Sequence, residues 1–145
     1  MDGADLTGAV LGAANRNLSQ VQLRGARVPG ARLAGFALDR AALGSADLRG
    51  ATFARATLEH AGLDGAVLDG AVLDGARLAG ASLRGASLRG ASLRGARAAE
   101  AVLDQADLTG SDWTGACLRA AGAVGATSAP RPRQRLAARA SRTAC

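Results

Sequence analysis

Residues 66–95 read AVLDG AVLDG ARLAG ASLRG ASLRG ASLRG, which is six five-residue units in a single register. The apolar residue in the middle of each unit recurs every fifth position from Leu18 to Leu118. Of these 21 positions, 20 hold Leu, Val, Phe or Trp, and only Ala98 is small. A period of five fits neither the 3.6-residue period of a helix nor the two-residue period of a strand. The sequence therefore predicts a repeat architecture.

A typical unit, Ala66-Val67-Leu68-Asp69-Gly70, has Ala at position one, Leu at position three and Gly at position five. Residues two apart lie on the same side of an extended segment, so Ala and Leu are expected to point inward together. Gly at position five favours a tight corner. Positions two and four vary freely, as exposed positions do. Each unit is predicted to be a very short strand followed by a corner.

These units resemble the pentapeptide repeat family, whose motif is approximately Ala-Asp/Asn-Leu-X-X, over about 115 of the 145 residues. The resemblance implies an all-β fold, the right-handed quadrilateral β-helix, in which four units make one square turn. A period of five excludes the hexapeptide left-handed β-helix of acyltransferases. The predicted core contains Leu48, Phe53, Leu58, Leu63, Leu68, Leu73, Leu78, Leu83, Leu88, Leu93, Leu108 and Trp113.

The chain divides into three segments. Residues 1–15 hold two repeats in a different phase and a two-residue insertion, and residues 16–120 form the main array. Residues 121–145 lose the Leu repeat and are expected to be a flexible Arg/Pro-rich tail. The net charge of +6 belongs mainly to this tail, which could bind an anionic partner such as nucleic acid. Its candidate binding residues are Arg131, Arg133, Arg135, Arg139 and Arg142.

Four units per turn would stack residues that are 20 apart, and this turns the sequence into a surface map. Position-four residues then alternate in charge along three of the four faces, which predicts an inter-coil charge ladder and not a basic patch for nucleic acid. Nucleic-acid binding by the Arg residues stays open as an alternative. The ladder contains Asp64, Arg84, Asp104, Arg49, Asp69, Arg89, Asp74 and Arg94.

The fourth face differs from the other three. Arg77 and Arg97 stack there without an acid in their own column, and Glu59 and Glu100 offer partial compensation.

The sequence indicates no catalytic, cofactor or metal site. His60 is the single histidine and occupies a corner, and Cys117 is predicted to point outward with no histidine beside it. A zinc site needs several converging ligands, and nucleophilic catalysis needs a base within reach. The start shows no signal peptide, and no apolar span of 18 residues occurs, so a cytoplasmic, non-membrane protein is expected.

Three functions remain open. One is a non-enzymatic rod or scaffold that binds another protein. The resemblance implies a second, interaction with DNA gyrase or topoisomerase IV that gives resistance to topoisomerase poisons. Duplex mimicry would need long acidic columns, and here Arg interrupts them. The third is anion binding through the tail.

The C-terminal end of the array also points to self-association. Trp113 and Leu118 lie in the last full turn, and few larger aliphatic residues follow them. Because the ends of a solenoid need a cap, a homodimer through this end is predicted.

Overall fold

A computed structural model describes residues 2–5 and 15–127. Each unit pairs with the next coil through one residue at position two. Asp47 forms a parallel bridge with Val67, Val67 with Ser87, and Ser87 with Asp107. From residue 17 to residue 127, each of these single-residue bridges joins two residues that are 20 apart, so four units make one coil. The corner interrupts pairing in every unit, so the described residues contain isolated bridges in place of the short strands predicted.

Backbone hydrogen bonds connect each coil to the coils on both sides of it. Val67 donates its N–H to the Ala46 carbonyl of the preceding coil at 2.9 Å, and Leu68 donates to the Ser87 carbonyl of the next at 2.7 Å. The position-one N–H donates across the corner to the position-three carbonyl of the preceding unit, as Ala66 does to Leu63. The position-five N–H donates to a carbonyl of the next coil, as Gly65 does to Arg84. Position four is different, because in the described part of the chain its N–H, as in Asp69, donates to no backbone carbonyl. This leftover donor needs another acceptor or water.

Every position-five residue from 20 to 125 has a left-handed backbone, whether or not it is glycine. Gly70, for example, has a φ of 66°. A side chain makes this conformation unfavourable by about 1–2 kcal/mol per residue. The residues that nevertheless adopt it are Gln20, Arg40, Ser45, Arg55, His60, Glu100, Gln105 and Ala120.

Leu and Ala fill the interior, and the twelve residues predicted for the core are all buried. Trp113, exposed by 8%, is the least buried of them. Its Nε1–H donates to the Ser111 hydroxyl at 2.9 Å, and this hydroxyl donates to the Leu108 carbonyl at 2.7 Å. Ser111 replaces the usual Ala because a buried indole N–H needs an acceptor.

The two ends of the array depart from the regular spacing. Asp5 forms a bridge with Arg27, which is 22 residues away instead of 20, since the predicted two-residue insertion lies between them. At the other end, bridges continue to Gly122 and Thr127, beyond the predicted boundary at residue 120. The predicted tail site at Arg131, Arg133, Arg135, Arg139 and Arg142 lies outside the described residues.

Candidate functional site: four outward faces

The outward side chains at positions two and four form four faces, each with one unit per coil. Position-two residues define them: the first face contains 22, 42, 62, 82, 102 and 122; the second 27, 47, 67, 87, 107 and 127; the third 32, 52, 72, 92 and 112; and the fourth 17, 37, 57, 77, 97 and 117.

On the first three faces, a position-four Asp accepts two hydrogen bonds from the next coil. Asp69 Oδ1 accepts from the Ser87 hydroxyl at 2.5 Å and from the Arg89 N–H at 3.2 Å. The Asp therefore supplies the acceptor that the leftover position-four N–H lacks. The same arrangement joins Asp64 to Ser82 and the Arg84 N–H, and Asp74 to Ser92 and the Arg94 N–H.

Some units satisfy the same N–H from within. Asp112 Oδ1 accepts from the Thr114 N–H two residues later at 2.9 Å, and Asp107 accepts from the Thr109 N–H at 3.0 Å. This local turn is a known preference of Asp and Asn. It gives the Asp of the Ala-Asp-Leu motif a structural role. Pro29 also fits position four, because it has no N–H to satisfy.

The guanidinium groups of Arg84, Arg89 and Arg94 lie farther from the acids of the next coil than hydrogen-bonded ion pairs of the predicted ladder would. Arg84 Nε lies 3.9 Å from Asp104 Oδ2 in the next coil. Arg49 instead binds Asp47 in its own unit at 2.6 Å, and not Asp69. These pairs are exposed, so each contributes only about 0–1 kcal/mol. Arg89 and Arg94 resemble Arg84: their Nε atoms lie 3.9 Å from Asp107 Oδ2 and 3.8 Å from Asp112 Oδ2, respectively.

The ladder of this protein thus differs from stacked ion pairs. Asp64, Asp69 and Asp74 contact the arginines one coil on through backbone N–H groups, while the guanidinium groups extend toward acids farther along the rod. The backbone N–H is fixed in place, so it holds the carboxylate without the entropy loss of ordering a long side chain.

The pKa shifts of Asp47, Arg49 and Asp107 come mainly from hydrogen bonds between residues two apart in the same unit. The hydrogen bond from the Arg49 guanidinium lowers the pKa of Asp47 and raises the pKa of Arg49. Hydrogen bonds from Thr109 lower the pKa of Asp107. Each shift favours the charged form that already makes the contact, which is typical of structural hydrogen bonds and ion pairs.

The second described unit of the fourth face has the same arrangement. Asp39 accepts from the Thr57 hydroxyl at 2.7 Å and from the Glu59 N–H at 2.9 Å. One coil later Glu59 Oε1 lies 2.6 Å from an Arg77 guanidinium nitrogen. Carboxylates are thus held between successive coils up to this point.

The pattern then stops, because the next position-four residue is Ala79. Arg97 is exposed, and no acid of the described residues lies within 4 Å of its guanidinium, including Glu100 of the following corner. The N–H groups of Ala79 and Ala99 have no hydrogen-bond partner within the described residues. Sequence reasoning found the unmatched Arg97 but not these N–H groups, which become visible only when the backbone bonds are known.

The residues considered for chemistry are not brought together. The His60 ring lies against the next corner, where a Cβ on Gly80 would come within 2.5 Å of Nδ1. Cys117 is disulfide-bonded and so offers no free thiol. Residues 2–5 and 15–127 contain no group of three His, Cys, Asp or Glu residues that could hold a metal ion. No helix able to cross a membrane occurs in this part of the chain.

A cavity of about 600 Å³ lies on the first face near the N-terminal end. It forms because neighbouring outward positions carry small residues such as Ala42, Gly44 and Gly62. Arg24 and Asp64 border it, but Asp64 already accepts two hydrogen bonds from the next coil. The lining therefore has no paired acid and base for catalysis.

Solved structures with this architecture are similar to the chain. One is the pentapeptide repeat protein Rfr23 from the cyanobacterium Cyanothece 51142, with a TM-score of 0.77 and 26% identity over 79% of this chain and 92% of that one. A pentapeptide repeat protein of the Arabidopsis thaliana thylakoid lumen has a TM-score of 0.47 and 25% identity, over 79% and 70%. QnrB1, a plasmid-mediated fluoroquinolone resistance protein, has 0.37 and 16%, over 89% and 90%. The last two scores support no inference about this chain.

No curated protein matches the chain. The family model for pentapeptide repeats does match, with eight copies over residues 17–53, 52–90 and 86–121. These residues form most of the described coils, and the repeating Leu and Ala positions form their core. This chain belongs to the pentapeptide repeat family.

Proposed function

We propose that this chain is a non-enzymatic rod that binds another protein through its outward faces, and that it acts in the cytoplasm. The observation that carries the proposal is that the four faces are chemically unequal. Position-four N–H groups without a partner among the described residues occur on every face, for example those of Asp64, Asp69 and Ala99. The fourth face differs because it adds an exposed guanidinium, Arg97, that has no acid within 4 Å among the described residues, and because Ala79, 18 residues earlier, has no carboxylate. A regular rod with an exposed, unpaired guanidinium beside small side chains suits recognition of a partner.

Within this proposal, the coil is the right-handed quadrilateral β-helix that the family resemblance implies. The 20-residue bridge interval and the likeness to Rfr23 support it. Residues 1–15, 16–120 and 121–145 are the N-terminal repeats, the array and the tail, with the last coil extending a few residues into the tail segment.

A topoisomerase is a less suitable partner if recognition depends on duplex mimicry. DNA presents an unbroken series of phosphates. Here Arg84, Arg89 and Arg94 follow Asp64, Asp69 and Asp74 within one coil, which breaks each acidic column. A supercoiling assay with purified gyrase, with and without a poison, tests this alternative. Inhibition or rescue by the protein would reinstate it.

The predicted homodimer through the C-terminal end stays part of the proposal. Leu118 is only half-buried and Val124 is exposed by 77%. Sedimentation of the full chain across micromolar concentrations should show a dimer, and a constant monomer mass would contradict this.

Position four of a single coil offers a matched test of the binding rod. A photo-crosslinking amino acid is placed in turn at residues 84, 89, 94 and 99 of the full chain, which samples the four faces at one height. In cells that produce the protein, a discrete adduct should form from one face and not from all four. Equal labelling from every face, or no adduct at all, would overturn the proposal.

A further inference from the structure

We propose that the fourth face binds a carboxylate side chain from an acidic segment of the partner protein, between Ala79 and Arg97. This inference rests on the proposed function and specifies the chemistry of the partner. Three independent features of the chain support it: the geometry of its own carboxylates, the preceding coil of the same face, and the local charge.

The first support is a spacing rule within the chain. An Asp at position four accepts one bond from the side chain 18 residues later and one from the N–H 20 residues later. Asp74, for example, accepts from the Ser92 hydroxyl at 2.6 Å and from the Arg94 N–H at 3.1 Å. Applied to Ala79, the rule gives the Arg97 side chain and the Ala99 N–H. Both donors are present on the fourth face, but the carboxylate that would join them is not part of residue 79.

The second support is the coil directly before this place. Glu59 is 18 residues before Arg77, and their charged groups lie 2.6 Å apart. Arg97 forms a parallel bridge with Arg77, so its backbone repeats the position of Arg77 one coil on. A carboxylate from a partner above Ala79 can therefore reach Arg97 as Glu59 reaches Arg77. Glu59 does not accept from the Ala79 N–H, so the bond to the Ala99 N–H rests on the Asp residues alone.

The third support is access and charge. Arg97 and Arg119 are exposed, and Ala79 and Ala99 are half-buried with only methyl groups above the backbone. A charged acceptor bonded to a guanidinium makes a stronger hydrogen bond than a neutral one. The small side chains leave an incoming Asp or Glu free to approach the backbone N–H.

A protein carboxylate fits this place better than a nucleic acid does. Nucleic-acid binding depends on neutralising many phosphates with many cations. Arg77 is already paired with Glu59, so Arg97 and Arg119 are the cations left on this half of the face. Two converging donors on one coil suit a single carboxylate, as the internal Asp residues demonstrate.

The test is a titration of the full ¹⁵N-labelled chain with an acetylated, amidated hexaglutamate peptide at low salt. The Ala99 amide should shift the most, while the Arg94 amide, already bonded to Asp74, should stay in place. R97S should weaken peptide binding by about tenfold, the loss expected for one charged hydrogen bond. R94S removes the same charge from the third face and should change the affinity less than twofold, on the order of an exposed ion pair.

A second variant removes the binding by occupying the site. A79E supplies the carboxylate from within the chain, so it should weaken peptide binding without unfolding the protein, as the amide spectrum will show. Equal affinity of the original protein, R97S and A79E would overturn the inference, because binding would then come from elsewhere, such as the Arg tail.

A 20-base-pair DNA duplex serves as the competing probe. If R97S weakens duplex binding and leaves peptide binding unchanged, the inference fails in favour of a phosphate ligand. Crosslinking from another face together with an unshifted Ala99 amide would also overturn this inference, and it would leave the binding-rod proposal standing.

Discussion

The second and fourth faces use the same backbone but end with different surfaces. On the second face Asp69 ties the Ser87 hydroxyl and the Arg89 N–H together between coils. On the fourth face Ala79 leaves the corresponding donors of Arg97 and Ala99 open to a partner. The repeat therefore leaves the position-four N–H over, and the residues at positions two and four decide whether the chain satisfies it or leaves it to water or a partner.

The core should not distinguish the two faces. Leu68→Ala on the second face and Leu78→Ala on the fourth should each reduce the free energy of unfolding by about 2–5 kcal/mol, because both side chains are fully buried. Urea denaturation measures the loss. Val67→Ala, at a half-buried outward position, is the control and should have a smaller effect. A markedly smaller loss for Leu78→Ala would mean that the fourth face differs in its packing and not only in its surface.

The inter-coil carboxylate should matter on the second face. Asp69→Ala removes the acceptor of two donors and should lower the free energy of unfolding by about 1–3 kcal/mol. Asp69→Asn keeps an acceptor oxygen and should lose less. Chemical denaturation of both variants provides the comparison, and an alanine variant as stable as the original would contradict the role assigned to Asp69.

The corners provide a further contrast between these faces. The second face turns through Gly70, whereas the fourth face turns through Arg40 in the same left-handed conformation. Arg40→Gly should stabilise the protein by about 1 kcal/mol, and Gly70→Ala should destabilise it by a similar amount. Thermal unfolding reports both changes. Shifts of the melting temperature in the same direction for both variants would show that the left-handed corner conformation does not determine these stability changes.

Low pH should destabilise the second face by protonating Asp47 and Asp107. Contacts lower the pKa of both groups in the folded state. Their contribution is therefore present above the unfolded carboxyl pKa of about 3.9, and it is lost as the pH falls through the lower folded values. The melting temperature should show little dependence on these groups from pH 7 to about pH 5 and should decrease below about pH 4.

The double variant D47N/D107N tests this assignment. Asn keeps the acceptor oxygen for the nearby N–H but does not titrate, so the decrease in acid should become shallower. An unchanged pH profile would assign the acid sensitivity to other groups.

The sequence predicted the features that the period itself encodes. The 20-residue register and the inward Leu and Ala follow from a spacing that any single unit repeats. The vertical order of Asp64 and Arg84 was also accessible. Which atom of Arg84 contacts Asp64 was not, because this depends on a backbone N–H that the coil leaves over.

Other details depend on three-dimensional relationships beyond the period. Ser82 lies 18 residues from Asp64, and its role appears only when positions two and four of adjacent coils are seen together. Ser111 interrupts the Ala series, and its reason is the indole of Trp113 two residues later. A buried aromatic with an N–H was the available signal for this pair.

Amide hydrogen exchange tests the central claim most directly, because it measures the position-four N–H groups one by one. The amides of Arg84, Arg89 and Arg94 should exchange slowly, while those of Ala79 and Ala99 should exchange fast, and Asp69→Ala should make the Arg89 amide fast. Equal protection of Ala99 and Arg89 in the original protein would contradict the claim that a carboxylate of the preceding coil protects the Arg89 N–H, while the Ala99 N–H is open to a partner.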